Sequence, residues 1–117
     1  MAVQPIIDQR SVIDEALIRE VADRIVKAFN PKRIILFGSQ ARGDAKPDSD
    51  MDLMVEMETD LSYYSRIPRI TEIFGFRRWS MDLIVVTPEE VEKDRDVNGT
   101  LINLVEREGR VLYERKN

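Results

Sequence analysis

"LFGSQARGDAKPDSDMDLMVEM", residues 36–57, decides the reading of this chain: a glycine–serine pair closes one apolar run, and a pair of spaced aspartates opens the next. Asp44, Asp48, Asp50 and Asp52 fall within nine positions. Like charges crowded in this way form either a solvated loop or a cation site. Upstream, "KRIILFG" predicts a short buried strand with an unbroken Ile34–Phe37 run. "SQARG" predicts a loop and a short helical turn. Downstream, "DMDLMVEM" alternates, with Asp50, Asp52, Met54 and Glu56 on one face and Met51, Leu53, Val55 and Met57 on the other.

Further out, Ser11 is positioned to cap a helix whose apolar residues Val12, Ala16, Ile18, Val21, Ile25, Val26 and Phe29 recur at helical spacing. Asp14 and Glu15 suit its first turn, and Asn30-Pro31 ends it. Residues 60–75 predict a helix broken or kinked at Pro68. "SMDLIVV" predicts a third strand with Asp82 near its start. Thr87-Pro88-Glu89-Glu90 is a strong helix start, for a helix to about Arg95. Another helix is predicted over about 99–108, and "GRVLYE" closes as a strand. This order implies an α/β (α+β) fold, a small mixed β-sheet flanked by helices, in one domain over 1–117.

The chain has 117 residues, 43% hydrophobic and 34% charged, with a net charge of −4. It holds no cysteine and no histidine, which removes disulfides, Cys/His zinc sites, thiol chemistry and His-based triads. Carboxylates are left to do any acid–base and metal work. The acidic balance argues against general nucleic-acid binding. No apolar run is long enough to span a membrane and no signal peptide is evident, so a cytoplasmic address is expected.

Asp50 and Asp52 would be neighbours on one strand face, where they repel each other unless a cation neutralises them. Magnesium takes one or two carboxylates together with substrate phosphates. Asp82 completes a three-carboxylate cluster if its strand lies beside theirs. Gly38 lets the backbone turn sharply and approach a ligand, and a helix starting at Ser39 would offer free N–H groups and a hydroxyl to phosphate. Arg42, a turn further on, adds a charged donor or braces the loop. Asp44 and Asp48 read as turn residues. "GFRRW" reads as a solvated loop with one packed Trp79, or as a stacking or acceptor-contact edge formed by Arg77, Arg78 and Trp79. Tyr63 and Tyr64 read as partial core, and the methionines as core filler.

The block "GSQARGD…SDMDLMV" resembles the signature of the DNA polymerase beta-like nucleotidyltransferase superfamily, and more narrowly its minimal, MNT-type group. Gly38, Ser39, Ala41, Arg42, Gly43, Ser49, Asp50, Asp52 and Leu53 fit that pattern, and the third acid maps onto Asp82. The resemblance covers about residues 28–114. It implies a nucleotidyltransferase fold and transfer of a nucleoside monophosphate, AMP from ATP, to a hydroxyl. Gly38 and Ser39 would hold the phosphates. Asp50 and Asp52 would bind two Mg²⁺ ions, with Mn²⁺ as an alternative, and Asp82 would bind the catalytic one and help deprotonate the acceptor. Members of this group act as antitoxins beside a helical HEPN-type toxin, which implies a partner protein as acceptor. Two other roles stay open: a module that neutralises its partner by docking alone, and modification of a small hydroxylated molecule. Homo-oligomerisation is open as well.

Overall fold

The computed structural model describes residues 7–116. In chain order the elements are β1 (Ile7–Asp8), α1 (Glu15–Phe29), β2 (Arg33–Phe37), α2 (Ser39–Arg42), β3 (Met51–Glu56), α3 (Tyr63–Thr71) with a 3-10 turn at Glu72–Phe74, β4 (Phe76–Arg77), β5 (Met81–Val86), α4 (Pro88–Asp94), α5 (Leu101–Glu108) and β6 (Arg110–Glu114). The four-stranded sheet runs β5-β3-β2-β6. β3 and β5 are parallel, and β2 is antiparallel to both β3 and β6. The mixed α/β architecture is the one the sequence implies.

Both faces of this sheet are covered, which is why β2 and β3 read as nearly continuous apolar runs. Ile34, Leu36, Met51, Leu53, Val55, Leu83 and Val85 face α1 and α3 and pack with Leu17, Val21, Ile25, Ile70, Phe74 and Trp79. Ile35, Met54 and Val86 face the other way, against Val91 of α4 and Ile102 and Val105 of α5. Asp52 and Asp82 share the parity of Met54 and Ile84, so they emerge on this second face. They do so at its open end, where neither helix covers them.

Several sequence expectations need correction. α1 begins after Asp14, not Ser11: the Asp14 carboxylate accepts the Leu17 N–H at 2.8 Å. The buried stripe is Leu17, Ile18, Val21, Ala22 and Ile25, while Val12 is 63% exposed and Ala16 is exposed. α3 is shorter than predicted and runs through Pro68 before tightening into the 3-10 turn. Tyr64 is 83% exposed, outside the core altogether, and Tyr63 is only partly covered. The α4 start is as read, with a full capping box between Thr87 and Glu90. β1 and β4 carry no signal in the sequence; they form a separate two-stranded parallel pair, Ile7 beside Phe76 and Asp8 beside Arg77.

At the end of the sheet away from the aspartates, Glu56 is buried and accepts from Arg33 Nε at 2.6 Å. Arg33 also pairs with Glu106 of α5. This ion cluster ties β2, β3 and α5 together. Among the described residues, no helix is long and apolar enough to cross a membrane.

Candidate active site

The aspartates meet because of strand register. Asp52 pairs with Phe37 across the β3–β2 ladder and with Asp82 across the β3–β5 ladder. Parallel strands in register carry equivalent side chains on the same face, so the two carboxylates are lateral neighbours. Asp50, expected on the same strand face as Asp52, lies instead on the exposed loop just before β3, which begins at Met51.

Gly38 follows directly on β2. Its φ of 71° and ψ of −156° belong to backbone that L-residues avoid. A Cβ there would lie 2.2 Å from Asp52 Oδ2 and 3.1 Å from its Cγ. The absence of a side chain is therefore what allows β2 to turn against the Asp52 carboxylate. Ser39 then opens α2, a single turn closed by the Arg42 N–H onto the Gly38 carbonyl (3.0 Å) and by Gly43 at φ 86°. The leading N–H groups of such a turn have no partner within it.

Arg42 is half-exposed, and its Nε donates to Asp44 at 3.3 Å. Its positive charge also draws the Asp52 pKa down. That pull loses: burial, then Asp82, then Asp50 push the Asp52 carboxyl above its ordinary value. The loop between α2 and β3 is held by Ser49, whose Oγ accepts the Lys46 N–H at 2.8 Å. Asp48 lies in that turn, exposed, as does Asp44.

The six residues singled out by motif, Gly38, Ser39, Arg42, Asp50, Asp52 and Asp82, thus cluster at one end of the sheet. Among the described residues no group of three carboxylates is placed to hold a metal ion, so the expected three-carboxylate cluster does not form in this structure even though β3 and β5 are neighbours. The donor set nevertheless fits a hard divalent cation: oxygens only, mutually repelling, partly exposed, and beside a backbone turn able to take phosphate.

One contributor was not visible in the sequence. The segment that delivers Asp82 is held from behind by Asp8, whose carbonyl accepts the Arg78 N–H (3.0 Å) and whose Oδ2 accepts Trp79 Nε1 (2.8 Å). Asp8 is bound in turn by Arg10 at 2.7 Å. Trp79 is buried, as the packed-tryptophan reading expected.

A family model described as a nucleotidyltransferase domain matches residues 18–114. A Methanocaldococcus jannaschii protein named as a candidate protein adenylyltransferase is 29% identical over 102 residues, spanning 86% of this chain and 98% of that protein. A crystal structure of a candidate nucleotidyltransferase from Sulfolobus solfataricus superposes with a TM-score of 0.61 at 24% identity, over 86% of this chain and 79% of that one. The likeness to that structure is one of fold.

Proposed function

The chain belongs to the nucleotidyltransferase domain family, and on that premise we propose that it moves AMP from ATP onto a hydroxyl of a partner protein, as the antitoxin of a helical HEPN-type toxin. Nucleotidyl transfer is the family's activity. Support for a protein acceptor comes from the relative named as a protein adenylyltransferase, which aligns along almost its entire length. The antitoxin role rests on the resemblance of the Gly38–Leu53 block to the minimal group.

The observation that carries the reading is the Asp52–Asp82 register beside Gly38. In the reaction the acceptor oxygen bonds to the α-phosphorus, the bond to the bridging oxygen breaks, and pyrophosphate leaves with the electron pair. Gly38 and Ser39 hold the β- and γ-phosphates through N–H groups and the hydroxyl, and so orient the leaving group. Arg42 adds a donor on the same flank. Asp82, exposed at the head of β5, takes the acceptor proton, since no histidine is available for that step. Divalent cations, Mg²⁺ or Mn²⁺, held by Asp50, Asp52 and Asp82 would neutralise charge on the triphosphate and on the attacking oxygen.

The test is to incubate the chain with α-labelled ATP, Mg²⁺ and a helical HEPN-type protein that co-purifies with it, then weigh that protein. Wild type adds one or more AMP units. Asp52→Asn and Asp82→Asn lower the rate by roughly a hundredfold or more. Near-full transfer by Asp52→Asn overturns the carboxylate assignment. Tight capture of the partner with no mass gain, by wild type and variants alike, establishes a docking module instead.

A further inference from the structure

We propose that the segment Gly75–Met81 is the shelf on which the acceptor protein docks, and that it binds an acidic stretch next to the hydroxyl to be modified. This rests on the protein-acceptor reading above. The first support is topological. β3 lies between β2 and β5, so the Gly38–Ser39 turn and the 75–81 segment flank Asp52 from opposite sides. Neighbouring strands are about 4.8 Å apart, which separates the two flanks by roughly 10 Å. Triphosphate and acceptor therefore approach from different sides, and the shelf belongs to the acceptor's.

The second support is shape and charge. Residues Gly75–Met81 line one open concavity, and its last member precedes Asp82 directly. Arg77 and Arg78 are consecutive, and among the described residues neither has a carboxylate within ion-pair distance. Arg19, Arg24, Arg69, Arg107 and Arg115 share that state, but Arg77 and Arg78 are adjacent in sequence and line the same concavity. Arg77 Nε is shielded from solvent and has no acceptor. Its guanidinium otherwise meets the Gly75 carbonyl at 3.5 Å and the Trp79 ring at 5.0 Å. The buried Nε is closed to a ligand as it is to water, but the guanidinium's terminal N–H groups, held only by that long carbonyl contact, leave donors for an incoming carboxylate. Phe76, 65% exposed, adds an apolar contact beside the two cations.

The third support is rigidity. Asp8 pins Arg78 and Trp79 from behind, and Arg10 extends the clasp to Glu20 of α1 at 2.7 Å. A pre-set shelf loses little freedom on binding. Two adjacent guanidiniums on an otherwise acidic chain match a short carboxylate pair better than a phosphate backbone, which calls for a continuous basic track.

Trp79 is the chain's one tryptophan, so docking can be read without turnover. Synthetic peptides carrying a tyrosine flanked by glutamates, or by lysines, are titrated against the intact chain while its fluorescence is followed. The acidic peptide changes the Trp79 emission and binds about tenfold more tightly than the lysine peptide, with the advantage shrinking as salt is added. Arg78→Glu, at an exposed and unpaired position, reverses the preference. Equal binding of the two peptides by wild type overturns the proposal without recourse to any variant, as does tighter binding of a single-stranded RNA of matched length. A chain that transfers AMP but ignores peptide charge refutes the shelf and leaves the activity standing. One that binds the acidic peptide yet modifies no protein refutes the activity and leaves the shelf.

Discussion

Substituting Gly38 by alanine separates two physical demands on one position. The φ of 71° with ψ of −156° places the backbone where an L-residue costs about 1–3 kcal/mol. The added Cβ would also lie 2.2 Å from Asp52 Oδ2. Relieving that overlap by swinging the carboxylate off its rotamer, or by shifting the β2–α2 turn, costs about 1–2 kcal/mol more. The sum, about 2–5 kcal/mol, corresponds to a fall in melting temperature of roughly 8–20 °C for a chain of this size. The contact term can be isolated by repeating the substitution in an Asp52→Ala background. There the Oδ2 and Cγ contacts vanish, and the remaining Cβ–Cβ separation of 3.4 Å is ordinary. Thermal or urea unfolding of the four proteins gives the cycle. Gly38→Ala should be less harmful in the Asp52→Ala background by about 1–2 kcal/mol, and the charge relief from losing Asp52 cancels in the difference. An equal penalty in both backgrounds would show that Gly38 is needed for its backbone alone, and the close packing of turn on carboxylate would have no energetic meaning.

Other consequences can be checked with the same preparations. Because the Asp52 carboxyl titrates above its ordinary value of 3.8, the folded state holds this proton more tightly than the unfolded chain. The resulting loss of stability is absent below that value, grows as pH rises toward the folded pKa, and is complete above it. Asp52→Asn should therefore melt higher than wild type at pH 7 but not at pH 3, and an offset independent of pH would contradict the assignment. Mg²⁺ should raise the melting temperature of wild type and leave that of the Asp50→Asn/Asp52→Asn/Asp82→Asn variant in place, which differential scanning fluorimetry can read. At the far end of the sheet, Glu56→Ala strands the buried Arg33 guanidinium with Glu106 as its remaining partner, at about 2–4 kcal/mol in urea unfolding. The paired change Arg33→Met/Glu56→Leu should recover most of that loss, and failure to recover it would mean that the ions are needed for packing geometry as well as charge.

What was legible in the sequence was local. Gly38-Ser39 and Asp52 could be read because a turn and a strand face are defined within a few residues of each other, whereas the same alternation places Asp50 in a strand that begins one residue later. Thr87-Pro88 announced α4 for the same reason. The parts that escaped depend on distant partners or on competing local signals. Ser11 and Asp14 are both good caps and Val12 is apolar, so only packing against the sheet decides where α1 begins. β1 and β4 hold two residues each and pair Ile7 with Phe76 across most of the chain, leaving no periodicity to detect. Tyr64 lies on a helix whose pattern fits the core, yet the buried stripe of α3 is set by Arg66 and Ile70. The neighbourhood of Asp52 and Asp82 followed from motif resemblance, while the register that produces it belongs to the assembled sheet.

That register makes the site a matter of parity. β3 and β5 are joined by a long excursion through α3, the 3-10 turn and β4, and extra residues within that excursion alter only the path between the strands. One residue inserted between Met81, paired with Met51, and Asp82 is a different event: it turns the third carboxylate through the sheet, toward α1 and α3, and puts the inserted side chain in its place. The family's tolerance for change in length should accordingly be all-or-none along this stretch, broad up to Gly75 and absent at the strand itself. A library of single insertions scored for AMP transfer would show that boundary as a step.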